Sequence, residues 1–152
     1  MTAASISDFD QAVRLAVYRH FIDHGSAPSL ATLAETLARP AEHIQKSLIK
    51  LEAHRAFALT PGTDRLWMAH PFSAVPTAYP VKTATATYWA NCAWDALSIA
   101  ALLNQDATCR TQCPDCAERL TLEVRNGQPV STGCVVHFAV PPRQFWDNVG
   151  FT

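Results

Sequence analysis

The chain has 152 residues, 49% of them hydrophobic and 16% charged, with a formal net charge of -1. That length suits one compact domain, or two small ones sharing a core, and the apolar fraction excludes disorder, collagen-like and coiled-coil states. No run of roughly 20 apolar residues offers a membrane span. The opening MTAASISDFD is too polar and acidic for a signal peptide, so a cytoplasmic location is expected. Charge is balanced along the chain: residues 1–70 hold seven basic and seven acidic side chains, residues 71–152 five and six. Neither half has the basic face that phosphate binding demands, which argues against a DNA partner. Five cysteines in a reducing compartment point to metal binding or catalysis before disulfides.

Phe9, Val13, Val17 and Phe21 recur at helical spacing, with Asp8 as the expected N-cap and Gly25 as the stop. Ser29 caps a second helix with Leu30, Leu33 and Leu37 inward. Pro40 stands where a third begins, carrying Ile44, Leu48 and Leu51. The runs Phe57–Leu59 and Leu66–Met68, split by Thr60-Pro61-Gly62-Thr63-Asp64, predict a hairpin. Three helices and a hairpin resemble a winged helix, whose recognition helix, Ala41 to Ala53, would offer Lys46 and Lys50 to phosphate, with Gln45 and Ser47 for bases. Pro71, Pro76 and Pro80 punctuate a connector, residues 71–86, that opens beside His70. A helix is predicted from about Thr87 to Leu103, with Tyr88, Cys92, Asp95, Ile99 and Leu102 near one stripe. A cysteine-rich loop, Cys109 to Cys116, follows. Strands are then predicted over Arg119–Arg125 and Val130–Val140, joined by an Asn126-Gly127 turn. Pro141 to Asn148 reads as a short helix and Val149 to Thr152 as the start of another strand. The fold class is α+β: a helical part over residues 1–70, the connector, and a second unit, residues 87–152, built from a helix and a small antiparallel sheet.

Asn91-Cys92-Ala93-Trp94-Asp95 is the sharpest local feature. Cys92 and Asp95 are three apart and share a helix face. A thiol near a helix start is expected to favour its thiolate. A carboxyl on an apolar face is expected to be desolvated and so to keep a proton available. Together they make a soft-metal ligand or nucleophile beside a general acid; the alternative is a small buried hydrophobe beside a first-turn acid. Cys113-Pro114-Asp115-Cys116 has the spacing of a zinc knuckle, which Cys109 and Cys134 could complete, although a second C-x-x-C is missing. His20, His24, His43 and His54 read as surface residues, and His137 as a strand residue rather than a further ligand. Trp67, Trp89, Trp94 and Trp146 are expected in the core. No phosphate-binding glycine loop, serine elbow or H-E-x-x-H occurs.

The stretches YWANCAWDALSIAALL, CPDCAERLTLEV and STGCVVHFAVPPRQFWDNVGF resemble the organomercurial (alkylmercury) lyase family. The resemblance implies protonolysis of a carbon–mercury bond to a hydrocarbon and Hg(II), without an organic cofactor. It implies that Cys92 binds mercury, that Asp95 delivers the proton, and that Cys113 matches a structural loop cysteine. It implies an organomercurial substrate and a thiol buffer or mercuric reductase as acceptor of Hg(II). The family's second mercury-binding cysteine is expected at or just after Phe151, where this sequence has Thr152 and is expected to stop just short of it. Cys134 is then the candidate second thiol, and mercury binding without efficient cleavage is the variant reading. The chemistry fits the residues, since Hg(II) is soft and prefers thiolate, and a carboxyl held neutral in an apolar site can supply a proton or shuttle one from a thiol. Two other classes are weighed against it: a winged-helix, metal-sensing transcriptional regulator, and a zinc-stabilised interaction module using Cys109, Cys113, Cys116 and Cys134.

Overall fold

A computed structural model describes residues 5–130 and 133–150. Three helices come first: α1 (Asp8–His24), α2 (Leu30–Leu37) and α3 (Ala41–Ala53). The N-cap of α1 is Ser7, not Asp8. A hydroxyl one residue earlier forms a capping box with Asp10, and that box sets the start. Gly25 ends the helix at φ 67°, and a Cβ there would fall 2.8 Å from the Thr87 carbonyl oxygen, so only glycine fits both demands.

Asp10 does more than cap. Its carboxylate is buried and takes Lys50 Nζ at 2.6 Å, Ser47 Oγ at 2.8 Å and Ser7 Oγ at 2.7 Å, pinning α1 to α3. Burial alone would raise its pKa, but the bonds from Lys50, Ser7 and Ser47 win and hold it well below the ordinary carboxylate range. Lys46 is likewise engaged, by Glu42 at 2.6 Å. Both lysines offered to phosphate are therefore already in ion pairs.

The chain then forms β1 (Ala58–Leu59), β2 (Leu66–Ala69) and β3 (Phe72–Ser73), an antiparallel sheet in that order. A second sheet contains β4 (Pro80–Lys82), β5 (Thr87–Trp89), β6 (Ala107–Gln112), β7 (Arg119–Arg125) and β8 (Gln128–Pro129), in the order β5-β4-β6-β7-β8. Helix α4 (Ala93–Leu103) packs across β4, β6 and β7. The α+β class stands. Among the described residues an isolated bridge, Phe72 to Ala90, links the two sheets.

Several sequence expectations change. The stretch read as a connector contains β3 and β4. Thr87-Tyr88-Trp89 is a strand, because it pairs with Lys82, Val81 and Pro80 and buries only its middle residue, so the helix starts later, at Ala93. Cys109 belongs to β6 rather than to a loop. Pairing after Asn126-Gly127, where φ is 51° and 73°, is short: Val130 N–H still donates to Glu123 O, but residues 133–140 form no strand. Strand propensity needs a neighbour to pack on, and Val135 there is 90% exposed. Cys134 and His137 are consequently exposed residues of an irregular segment. Within Pro141–Asn148 only Pro142–Gln144 is helical, as one 3-10 turn. Val149 and Gly150 are not in a strand, and 151–152 lie outside the described residues.

One continuous core joins helices and sheets. Phe72 is its hinge piece: its ring stacks on Phe21 at 5.2 Å and meets Tyr88 at 5.5 Å and Tyr18 at 6.4 Å. The central aromatics are Phe21, Phe57, Phe72 and Tyr88, not the tryptophans; Trp94 is 54% exposed and Trp67, Trp89 and Trp146 are half-buried.

Asp10→Asn is expected to cost about 2 kcal/mol, because it leaves Lys50 without its counter-charge. A depressed carboxylate stabilises the fold above its unfolded pKa and loses that contribution in acid. Urea unfolding of the wild type should therefore weaken below about pH 4 more steeply than that of Asp10→Asn.

Candidate active site

Cys92 is the N-cap of α4, in extended conformation, and Ala96 N–H donates to its carbonyl at 3.0 Å. Asp95 is the third residue of the helix and is buried. The thiol makes no side-chain capping hydrogen bond, but it lies at the helix start, where the backbone N–H groups of Asp95 and Trp94 favour its charged form. That is the helix-start arrangement anticipated from the sequence, but its consequence differs. Burial pushes the Cys92 thiol up, the Asp95 carboxylate adds to this, and the two N–H groups only partly offset it. Cys92 holds its proton at neutral pH until something thiophilic displaces it.

The Asp95 carboxyl is gripped from one side. Asn91 Nδ2 donates to its Oδ2 at 3.0 Å, and His70 Nδ1 lies 3.4 Å from the same oxygen. Asn91 Nδ2 also faces the carbonyls of Pro71 and Phe72 and His70 Nδ1, each at 3.3 Å. Every backbone group there is an acceptor, so the amide must present its nitrogen. Among the described residues its oxygen, a buried acceptor, finds no partner.

His70 is placed by the turn between β2 and β3. Its carbonyl accepts the Tyr18 hydroxyl of α1 at 2.9 Å, and the Trp146 ring meets its imidazole edge-on at 5.9 Å. The segment after β8 folds back here. Phe138 contacts Trp94 at 6.0 Å, and a Cβ on Gly150 would fall 2.5 Å from Trp67 Cη2. Tyr79, just before β4, has its phenol pushed up, chiefly by burial.

The structure brings Cys92 and Asp95 together, gives Asn91 of the same motif a role, and adds His70 and Trp146, which the sequence did not flag as site residues. Asn91 beside Cys92 was the available signal; the approach of His70 across 25 residues had none. The zinc alternative does not fit. Among the described residues no three His, Cys, Asp or Glu side chains gather around a metal position. Cys109 is buried in β6, Cys113 and Cys116 sit at the β6–β7 turn, and Cys134 is exposed.

A thiol at a helix cap, with a clamped carboxyl one turn along, defines a small α+β protein able to take a soft electrophile and move a proton beside it. The chain belongs to the alkylmercury lyase (MerB) family, whose model matches residues 72–152. Among solved structures it is similar to the mercury-bound form of MerB2, at 18% identity and a TM-score of 0.67, over 84% of this chain. The chain spans 61% of the length of that protein, so the likeness is one of fold. No curated protein matches it in sequence. Among the described residues no helix is long and apolar enough to cross a membrane.

The thiols differ in reactivity. Burial pushes Cys109 up to about 11, while N–H groups of Cys116 and Asp115 and the Cys116 thiol pull Cys113 down. Alkylation by iodoacetamide, read by peptide mass spectrometry, is expected at Cys113 first at pH 7.5. Cys92 should follow only as pH rises toward 9 and above, and Cys109 last.

Proposed function

We propose that this protein cleaves carbon–mercury bonds by protonolysis, with Cys92 as the thiolate that captures mercury and Asp95 as the proton donor. The observation that carries the reading is the Cys92–Asp95 pair at the start of α4, inside the segment matched by the family model. An organomercurial thiolate exchanges its small thiolate for Cys92, whose proton passes to the Asp95 carboxylate as the small thiolate leaves. The Asp95 carboxyl then gives its proton to the mercury-bound carbon. The electron pair of the C–Hg bond becomes the new C–H bond, hydrocarbon departs, and Hg(II) stays on Cys92. A second thiolate donates electron density that makes the carbon basic. Cys134 is our candidate for it, since its segment is tied back to the site by Phe138 on Trp94 and Trp146 on His70. A small cellular thiol or a mercuric reductase then removes the ion. The compartment proposed is the cytoplasm, where thiols stay reduced.

The regulator reading loses support because Lys46 and Lys50 are spent on Glu42 and Asp10.

Benzene release from phenylmercury with excess small thiol tests this. Cys92→Ser is expected to abolish turnover and phenylmercury retention together. Asp95→Asn should keep a phenylmercury adduct on Cys92 while cutting release by about 10²–10⁴-fold. Cys134→Ser should slow release at low thiol and recover as thiol is added. Full activity in folded Cys92→Ser and Asp95→Asn would refute the assignment.

A further inference from the structure

We propose that Cys113 and Cys116 form a two-thiol clip for inorganic Hg(II), apart from the cleavage site; that the ion it takes is the product of cleavage rests on the function proposed above. The two cysteines lie on the turn between β6 and β7, Cys113 half-buried and Cys116 exposed. The backbone closes this turn by itself. Cys113 N–H donates to Glu118 O at 2.8 Å, Ala117 N–H donates to Cys113 O at 2.9 Å, and Ala117 turns the chain at φ 58°. Gln112 and Arg119 pair directly below it. No thiol is needed to hold the turn, so both are available to a ligand. The N–H groups of Cys116 and Asp115, and then the Cys116 thiol, favour the charged form of the Cys113 thiol. That last influence needs the two sulfurs on one side of the turn.

The number of thiols selects the ion. A structural zinc takes four ligands, and among the described residues no three His, Cys, Asp or Glu side chains gather at a metal position. Hg(II) is softer and is satisfied by two thiolates. In an organomercurial cation carbon already holds one of those two positions, so the cation engages a single thiolate and gains nothing from a second. A pair of thiols therefore distinguishes inorganic Hg(II) from the substrate. Once one sulfur is bound, the other closes intramolecularly, at an effective concentration of about millimolar.

Sheet register sets the clip beside the source of the ion. Val81 of β4 pairs with Tyr88 of β5 on one side and with Cys109 of β6 on the other. Both neighbours run antiparallel to β4, and so in the same direction as each other. Four residues past each pair come Cys92 and Cys113. Both thiols thus follow the same end of the sheet, at the exits of strands two spacings, about 10 Å, apart. Transfer needs no redox partner. The Cys113 and Cys116 sulfurs displace the thiolates on Hg(II) one after the other, each giving up its proton, and the departing thiolates take up those two protons.

The test uses the full chain carrying Cys92→Ser, which removes the cleavage thiol. It is loaded with one equivalent of mercuric chloride or of phenylmercury and titrated with a small monothiol, with retention read by native mass spectrometry. Hg(II) is expected to survive monothiol concentrations about 10²-fold higher than it does when Cys113→Ser or Cys116→Ser is added. Phenylmercury should leave all three proteins at similar concentrations. Thermal melting confirms that each variant folds. Equal Hg(II) retention in the three folded proteins, or phenylmercury held as firmly as Hg(II), would overturn the clip. In the wild type, Hg(II) left by phenylmercury cleavage should be found on the tryptic peptide 111–119, which carries both thiols. Benzene release with no mercury on that peptide would overturn the clip as product acceptor and leave the lyase reading standing. No benzene release, with Hg(II) still held by the clip, would overturn the lyase reading and support the clip as a binding site.

Discussion

A carboxyl group buried at the start of a helix must find donors or lose its charge, and the grip on Asp95 is the constraint around which this protein is arranged. Asn91 and His70 meet it at one oxygen. To do so, the β2–β3 turn, the end of β5 and the first turn of α4 must converge. Asn91 and Asp95 are neighbours across the helix start, whereas His70 arrives from 25 positions away. The same convergence sets Cys92 at the helix cap, half-buried and protonated, next to the acid. Site and fold are thus one problem: the sheets are placed so that a thiol and a carboxyl can share a sheltered corner.

The helical part supports that corner through aromatic packing rather than charge. Phe72 follows the turn that carries His70, and its ring is held between Phe21 of α1 and Tyr88 of β5. Burying such a ring contributes about 2–3 kcal/mol, and truncating it would cost more through the cavity left behind. Tyr18 adds a hydrogen bond to the His70 carbonyl, and the Tyr88 hydroxyl donates to Ile22 O at 2.9 Å. Helix α1 therefore locks both turns of the site. Asp10, buried against Lys50 and Ser47, keeps α1 and α3 in register behind it.

Local signals were the legible ones. The three helices, the first hairpin, the Asn126-Gly127 turn and the Cys92–Asp95 pair each follow from period, capping or turn chemistry within a few residues. Thr87-Tyr88-Trp89 misled, because an aromatic next to an apolar helix continues its stripe, and only pairing with β4 shows it to be a strand. Val130–Val140 misled in the opposite sense, since β-branched residues invite a strand, and among the described residues of that stretch none pairs beyond β8. The tryptophans misled through size: Trp94 faces outward to meet Phe138 instead of filling the core. His70 was invisible as a site residue because its partner is 25 positions away. The thiolate expected at Cys92 failed on magnitude, as two N–H groups do not outweigh burial.

The central claim is that mercury enters at Cys92 and that its carbon then sits against Asp95. A crystal structure of the Asp95→Asn variant soaked with a phenylmercury salt tests this most directly. An anomalous mercury peak bonded to Cys92 Sγ is expected, with the phenyl carbon facing residue 95. Mercury at Cys113 and Cys116 or at Cys134, with Cys92 bare, would contradict it.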